Sequence, residues 1–217
     1  MNPSNVAEVR QYFIDELAAE RFVIDKTGCK MLELVGASFV FDEDAIFGTV
    51  NEDYVQREIE WYELQSLNVN DIPGGPPAIW KQVADPDGFI NSNYGFMAFS
   101  YENYDQYHHV YKELLLNPFS RRAEIIYNRP SMWVDYNKNG RSDFCCTNAQ
   151  QFLIRDGKLH MIVMMRSCDV VFGAKNDARW ARYLQKKLAD SLYVECGPII
   201  WQCGSLHVYE THFRLVK

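Results

Sequence analysis

Long apolar runs are missing from this 217-residue sequence: no window approaches eighteen consecutive apolar residues, which excludes a membrane-spanning helix. Its start, MNPSNVAEVRQYFIDELAAER, carries acidic residues and lacks an apolar stretch, so it reads as neither secretory signal nor transit peptide, and a cytoplasmic address is expected. Also absent are a C-x-x-C pair, a Cys/His cluster of metal spacing, G-x-G-x-x-G, a P-loop and H-E-x-x-H. Metal centres, nucleotide-cofactor cradles and zincin chemistry therefore have no carrier, and Cys29, Cys145, Cys146, Cys168, Cys196 and Cys203 read as free thiols. Positive charge is in short supply. With 22 Lys and Arg against 29 Asp and Glu the net charge is −7, which disfavours direct nucleic-acid binding and acidic membranes unless basic residues cluster locally.

What is present is ordinary for a globular protein: 47% hydrophobic, 24% charged and 14% aromatic residues, which exclude dominant disorder. At this length one domain, residues 1–217, is the default, and folding should bury roughly 70% of the unfolded surface. Ser4 is a candidate N-cap for a helix to about Glu20, with Val9, Phe13 and Leu17 on one face. Phe22 to Asp25 and Met31 to Phe41 look extended around a turn at Lys26 to Gly28. A second helix fits Glu52 to Gln65, with Val55, Ile59 and Tyr62 as its apolar stripe. Asp71 to Pro77 and Asp85 to Gly95 read as loops, and a third helix fits Glu102 to Leu116, stopped by Asn117-Pro118. Strands follow at Ala123 to Asn128, Thr147 to Arg155 and Lys158 to Arg166, the last two as a hairpin across Asp156-Gly157. The run LHMIVMM should be covered on both faces. A helix from Asn176 to Leu192, with Trp180, Leu184 and Leu188 on one face, precedes a strand region from Ile199 to Leu215. Helices interleaved with strands, without regular βαβ alternation, predict an α+β fold: a single domain built on a large mixed β-sheet with flanking helices.

Several residues stand where chemistry or plain structure would both place them. Glu58, three after Val55 and four before Tyr62, edges an apolar stripe, where an ionised carboxylate is costly unless paired; alternatively its head reaches water. Asp177 precedes Trp180 by three on a packing face, or serves the first turn as dipole partner or cap. Arg121-Arg122 fits a solvated pair and Arg166 an edge charge. Cys145-Cys146 opens a strand, so one neighbour faces the core and the other a cleft. Most unpaired cysteines are inert, and nothing in the residue pattern alone selects one.

Ordered motifs supply the selection. Asp25-Lys26-Thr27-Gly28, Glu58-Ile59-Glu60-Trp61, Asn93-Tyr94-Gly95, Ser120-Arg121-Arg122, Cys146 five residues before Gln151-Phe152, Arg166-Ser167-Cys168-Asp169 with Gly173 and Asp177, and Gly204-Ser205-Leu206-His207-Val208-Tyr209 follow one another along the chain. Together they resemble the thymidylate synthase family, and within it the phage deoxycytidylate hydroxymethylase branch, from about Lys26 to Leu215. The resemblance implies a thymidylate synthase-like fold, Cys146 as nucleophile, and Arg166 on the substrate phosphate, with Arg121 and Arg122 reaching it from the partner of a homodimer. It implies a further phosphate contact at Lys26, substrate contacts at Ser167, Asp169, Gly173 and Asp177, and ribose contacts at His207 and Tyr209. Tyr94 is implied in proton transfer near Cys146, and Glu58, Trp80 and Asp169 in contacts to methylenetetrahydrofolate, a co-substrate; no metal is implied.

Departures from the synthase pattern point to a branch. Asp177 stands where synthases acting on dUMP carry asparagine; a protonated carboxyl can donate to ring nitrogen three of cytosine and accept from its amino group. Phe144-Cys145-Cys146-Thr147-Asn148 lacks the synthase proline-cysteine-histidine and resembles the hydroxymethylase version. The expected reaction is one-carbon transfer to carbon 5 of dCMP, completed by water that Glu58 activates. The chain ends at Lys217, soon after Tyr209, where relatives carry a longer folate-closing tail; either this member is naturally short or its end is trimmed, and nucleotide binding is the firmer expectation of the two. The alternatives are a dUMP hydroxymethylase, a methylase ending in hydride transfer, or a non-catalytic nucleotide-binding protein of a replication or nucleotide-synthesis complex.

Overall fold

A computed structural model describes residues 3–217. The chain falls into two compact units, residues 1–50 with 154–217, and residues 51–153. Its strands form one mixed six-stranded sheet in the order β1-β2-β6-β5-β4-β3, with helices flanking it, the α+β class expected.

In the first unit β1 (Val23–Ile24), β2 (Lys30–Val40) and β6 (Glu195–Tyr209) are antiparallel neighbours, while β5 (Lys158–Asp169) runs parallel to β6. A parallel pair needs a crossover, and the helix α7 (Gly173–Leu192) supplies it. Trp180, Leu184 and Leu188 are buried on α7, which packs on β5 and β6. Gln185 is buried beside them. Its amide donates to the carbonyls of Leu159 (2.7 Å) and Gly197 (3.0 Å), next to a register shift between Leu159 and Met161 that would otherwise strand backbone acceptors. Helix α1 (Val6–Ala18) packs Val6, Val9 and Phe13 against β2.

The second unit contains α2 (Glu52–Glu63), α3 (Ala78–Val83), α4 (Tyr94–Phe99), α5 (Gln106–Leu116), α6 (Met132–Asp135), and the antiparallel pair β3 (Glu124–Ile126) and β4 (Thr147–Arg155). Buried Asp143 accepts from the backbone N–H of Asn91 (2.6 Å) and Ser92 (2.9 Å) and from the Ser92 hydroxyl (2.6 Å), which pins the loop entering α4.

The structure corrects several local expectations. The first N-cap is Asn5, whose side chain accepts from Glu8 N–H, not Ser4, and α1 ends at Ala18. Residues 101–103 form a 3-10 turn, and α5 begins only after Asp105, because Tyr104 and Asp105 adopt left-handed backbone that an α-helix cannot contain. Helix α7 starts three residues earlier than Asn176, and β6 starts four before Ile199 and gives way to a 3-10 helix at Glu210. Strand β5 continues to Asp169, so Arg166 is an interior strand residue, not an end charge. LHMIVMM is not covered on both faces. Leu159, Met161, Val163 and Met165 are buried, whereas His160, Ile162 and Met164 between them are only half-buried, because α7 covers one side. Cys29 and Cys196 are surface thiols, while Cys145, Cys168 and Cys203 are buried.

Candidate active site

In the second unit the site begins with the capping of α2. The Asn51 side chain accepts from Tyr54 N–H (3.1 Å), and Glu52 and Asp53 suit the positive end of the helix. This fixes Tyr54, Glu58 and Tyr62 one turn apart on one face. Glu58 is not a boundary residue with its head in water: only 6% of it is exposed. Tyr54 donates its hydroxyl to Glu58 Oε1 (2.5 Å), and the Trp80 indole N–H reaches Tyr54 Oη at 3.0 Å and Glu58 Oε1 at 3.3 Å. Burial pushes the Glu58 carboxyl up from its ordinary value, and hydrogen bonds from Tyr54, Trp80 and Tyr62 act against that push. Trp61 flanks Trp80 at 5.4 Å between ring centres.

Helix α4 lies directly on α2. Gly95 permits this approach, since a β-carbon there would stand 1.8 Å from the Tyr62 carbonyl oxygen. Asn93 caps α4 by accepting from Phe96 N–H (2.7 Å) and donates to the Ser66 carbonyl (2.8 Å). Tyr94 is thereby held with its ring 5.6 Å from Tyr62 and its hydroxyl accepting from Thr147 (2.9 Å). Thr147 opens β4 immediately after the two cysteines. Cys145 is buried and Cys146 half-exposed; neither lies in the strand expected to begin there, since Cys146 sits in a bend just before β4, so their opposed facing comes from that bend and not from strand alternation. Arg121 and Arg122 stand apart between α5 and β3. Arg121 is exposed, and the exposed Arg122 guanidinium pairs with Glu113 at 2.9 Å.

In the first unit the parallel register sets Ser167 beside Ser205 and Asp169 beside His207. The strands come close here: a β-carbon on Gly204 would lie 3.0 Å from the Arg166 carbonyl. Asp169 Oδ1 accepts from the N–H groups of Val171 (2.9 Å) and Phe172 (2.6 Å), shaping the turn into α7. A β-carbon on Gly173 would stand 3.7 Å from Asp177 Oδ2, which places Asp177 over the start of that helix. His207 is buried with Nδ1 3.3 Å from the Ser205 carbonyl and its ring 5.1 Å from Tyr209. Arg166, Ser167, Asp169, Gly173, Asp177, His207 and Tyr209 thus gather where β5 ends and α7 begins. Lys26 occupies the exposed turn between β1 and β2, at the Tyr209 end of β6 by the pairing of Met31 with Tyr209.

A thymidylate synthase family model matches residues 17–217. The chain belongs to the thymidylate synthase family. Among relatives, the deoxycytidylate 5-hydroxymethyltransferase of Enterobacteria phage T4 is 53% identical over 218 residues, covering 97% of this chain and 89% of that protein. The thymidylate synthase of Bacillus subtilis subsp. natto is 30% identical over 168 residues, 74% of this chain and 58% of that one. A solved thermostable thymidylate synthase A from Bacillus subtilis superposes with a TM-score of 0.75 at 24% identity, over 98% of this chain and 83% of its own, and carries the thymidylate synthase fold.

Within this thymidylate synthase fold, sequence reasoning missed Tyr54 and Tyr62. Both lie one turn from Glu58 on the same helix face, and that i±4 spacing was the available signal.

Proposed function

We propose that the protein transfers a one-carbon unit from methylenetetrahydrofolate to carbon 5 of dCMP and completes the reaction with water, giving 5-hydroxymethyl-dCMP and tetrahydrofolate. The observation that carries this reading is the 53% identity over 97% of the chain to the phage T4 deoxycytidylate 5-hydroxymethyltransferase. The family match from residue 17 to 217 supports reading residues 1–217 as one catalytic domain.

The Cys146 thiolate adds to carbon 6 of the pyrimidine, which makes carbon 5 nucleophilic. Carbon 5 takes the one-carbon unit and loses its hydrogen; release of tetrahydrofolate leaves an exocyclic methylene on the ring. Water adds to that methylene, and expulsion of the thiolate restores the pyrimidine. Glu58 activates the water. Its burial favours the protonated form more than in an ordinary glutamate, which suits a group that must both take and give a proton. Trp80 offers an aromatic face and Glu58 a carboxylate to the folate, while Asp169 shapes the β5–α7 turn against it and the substrate. The reaction so written needs no metal.

Arg166 and Lys26 bind the phosphate, with Ser167, Asp169 and Gly173 shaping the nucleotide site and His207 and Tyr209 the ribose contacts. Asp177 reads ring nitrogen three and the amino group of cytosine. Tyr94 assists proton transfer near Cys146. Arg121 and Arg122 act in the partner subunit of a homodimer; the exposure of Arg121 supports this, and Arg122 must exchange Glu113 for phosphate. No described helix is long and apolar enough to cross a membrane. The proposed place of action is the cytoplasm of an infected host cell, within reach of a nucleotide-synthesis or replication complex.

Turnover of dCMP and dUMP by the protein and by Asp177→Asn tests the reading. The protein should act on dCMP and the variant should shift toward dUMP; equal use of both nucleotides by the unaltered protein would refute it.

A further inference from the structure

Tyr54 stands four residues before Glu58 on α2, and its hydroxyl joins Glu58 to Trp80. Its hydroxyl donates to Glu58 Oε1, it accepts the Trp80 indole N–H at 3.0 Å, and the same N–H reaches Glu58 Oε1 at 3.3 Å. Phenol and indole therefore converge on one carboxylate oxygen. Arg57 lies over the face of the ring, its guanidinium carbon 5.7 Å from the ring centre. Arg57 in turn is tied to Asp53 (3.0 Å) and to the carbonyls of Pro73 (2.9 Å) and Gly75 (3.3 Å).

Resting on the reading of Glu58 as the acid/base of the water step, we propose that Tyr54 is its positioning residue, fixing Oε1 and favouring the ionised, base-competent carboxylate. A hydroxyl that donates to a carboxylate stabilises its charged form, while burial opposes that form. The groups facing Glu58 are Tyr54 and Tyr62 from its own helix and Trp80 from α3. Tyr94 of α4 follows, packed on Tyr62, and the charged pair Arg57 and Asp53 lies behind Tyr54. Removing the Tyr54 hydroxyl leaves burial less opposed, so the base form is lost at a higher pH.

The test compares the protein with Tyr54→Phe, which keeps the ring and its place beside Arg57 and deletes only the donor. Formation of 5-hydroxymethyl-dCMP from dCMP and methylenetetrahydrofolate is followed across pH, with thermal unfolding as a check on folding. The acid limb of kcat should move to higher pH by on the order of one unit, with KM for dCMP within about twofold. A purely structural tyrosine would change stability or KM and leave that limb in place, and an unmoved limb overturns the proposal. If the unaltered protein leaves dCMP untouched, the functional reading fails and takes this proposal with it; dCMP turnover with an unmoved limb in the variant overturns this proposal alone.

Discussion

Replacing Gly95 with alanine sets helix propensity against a backbone contact, and the two predict opposite signs. Gly95 sits inside α4, where alanine is favoured over glycine by about 1 kcal/mol, and a buried methyl adds roughly 0.8 kcal/mol. Against this, the new β-carbon would lie 1.8 Å from the Tyr62 carbonyl oxygen, 2.3 Å from its carbon and 2.7 Å from its Cα. All three are backbone atoms of α2, so no rotamer relieves the overlap; α4 must move away by more than an ångström. That movement breaks the 5.6 Å contact of Tyr62 with Tyr94 and stretches the Asn93 bond to the Ser66 carbonyl. Overpacking of this kind costs typically 1–3 kcal/mol, and rigid backbone on both sides places this case at or above the upper end. A net loss of about 2 kcal/mol lowers the melting temperature by roughly 4–8 °C in a chain of this size. Thermal unfolding followed by circular dichroism and calorimetry measures it. A variant that melts at or above the parent temperature would refute the close approach of α4 to α2.

Cys146→Ser should lower kcat by on the order of a thousandfold or more while dCMP still binds, as read by calorimetric titration and by loss of a covalent nucleotide adduct in protein mass spectrometry. Glu58→Gln should abolish the water step and yet raise the melting temperature at neutral pH. The folded state holds the Glu58 carboxyl above its ordinary value of 4.5, so the stability this group offers is full below that pH and is lost as pH rises through the folded value; the variant's advantage should shrink as pH falls toward 4.5. Unfolding midpoints measured from pH 4 to 8 check the trend. Asp143→Ala strands three buried donors on Asn91 and Ser92 and should cost about 3 kcal/mol in denaturant unfolding.

The large elements were legible because their signals were periodic. Val9 and Phe13 mark α1, Val55 and Tyr62 mark α2, and Trp180, Leu184 and Leu188 mark α7, all buried where the spacing put them. The hairpin turn was equally plain, since Asp156 and Gly157 both adopt positive φ. Boundaries were less so. The stretch from Glu102 reads as continuous helix until Tyr104 and Asp105 turn left-handed, a local conformation that propensity does not announce. At the site, one exposed and one buried cysteine was expected, but the strand expected to set them begins only at Thr147, so a bend and not alternation turns Cys146 outward. The burial of Glu58 was not legible: it comes in part from Trp80, a contact distant in sequence. Tyr54 was visible as an i−4 neighbour but had no distinguishing mark until its hydroxyl was seen between Trp80 and the carboxylate.

The central claim is that water, not hydride, completes the transfer to dCMP, and running the reaction in oxygen-18 water tests it most directly. The account predicts 5-hydroxymethyl-dCMP whose new hydroxyl carries the heavy oxygen, with tetrahydrofolate as the co-product. Formation of 5-methyl-dCMP with release of dihydrofolate would contradict it.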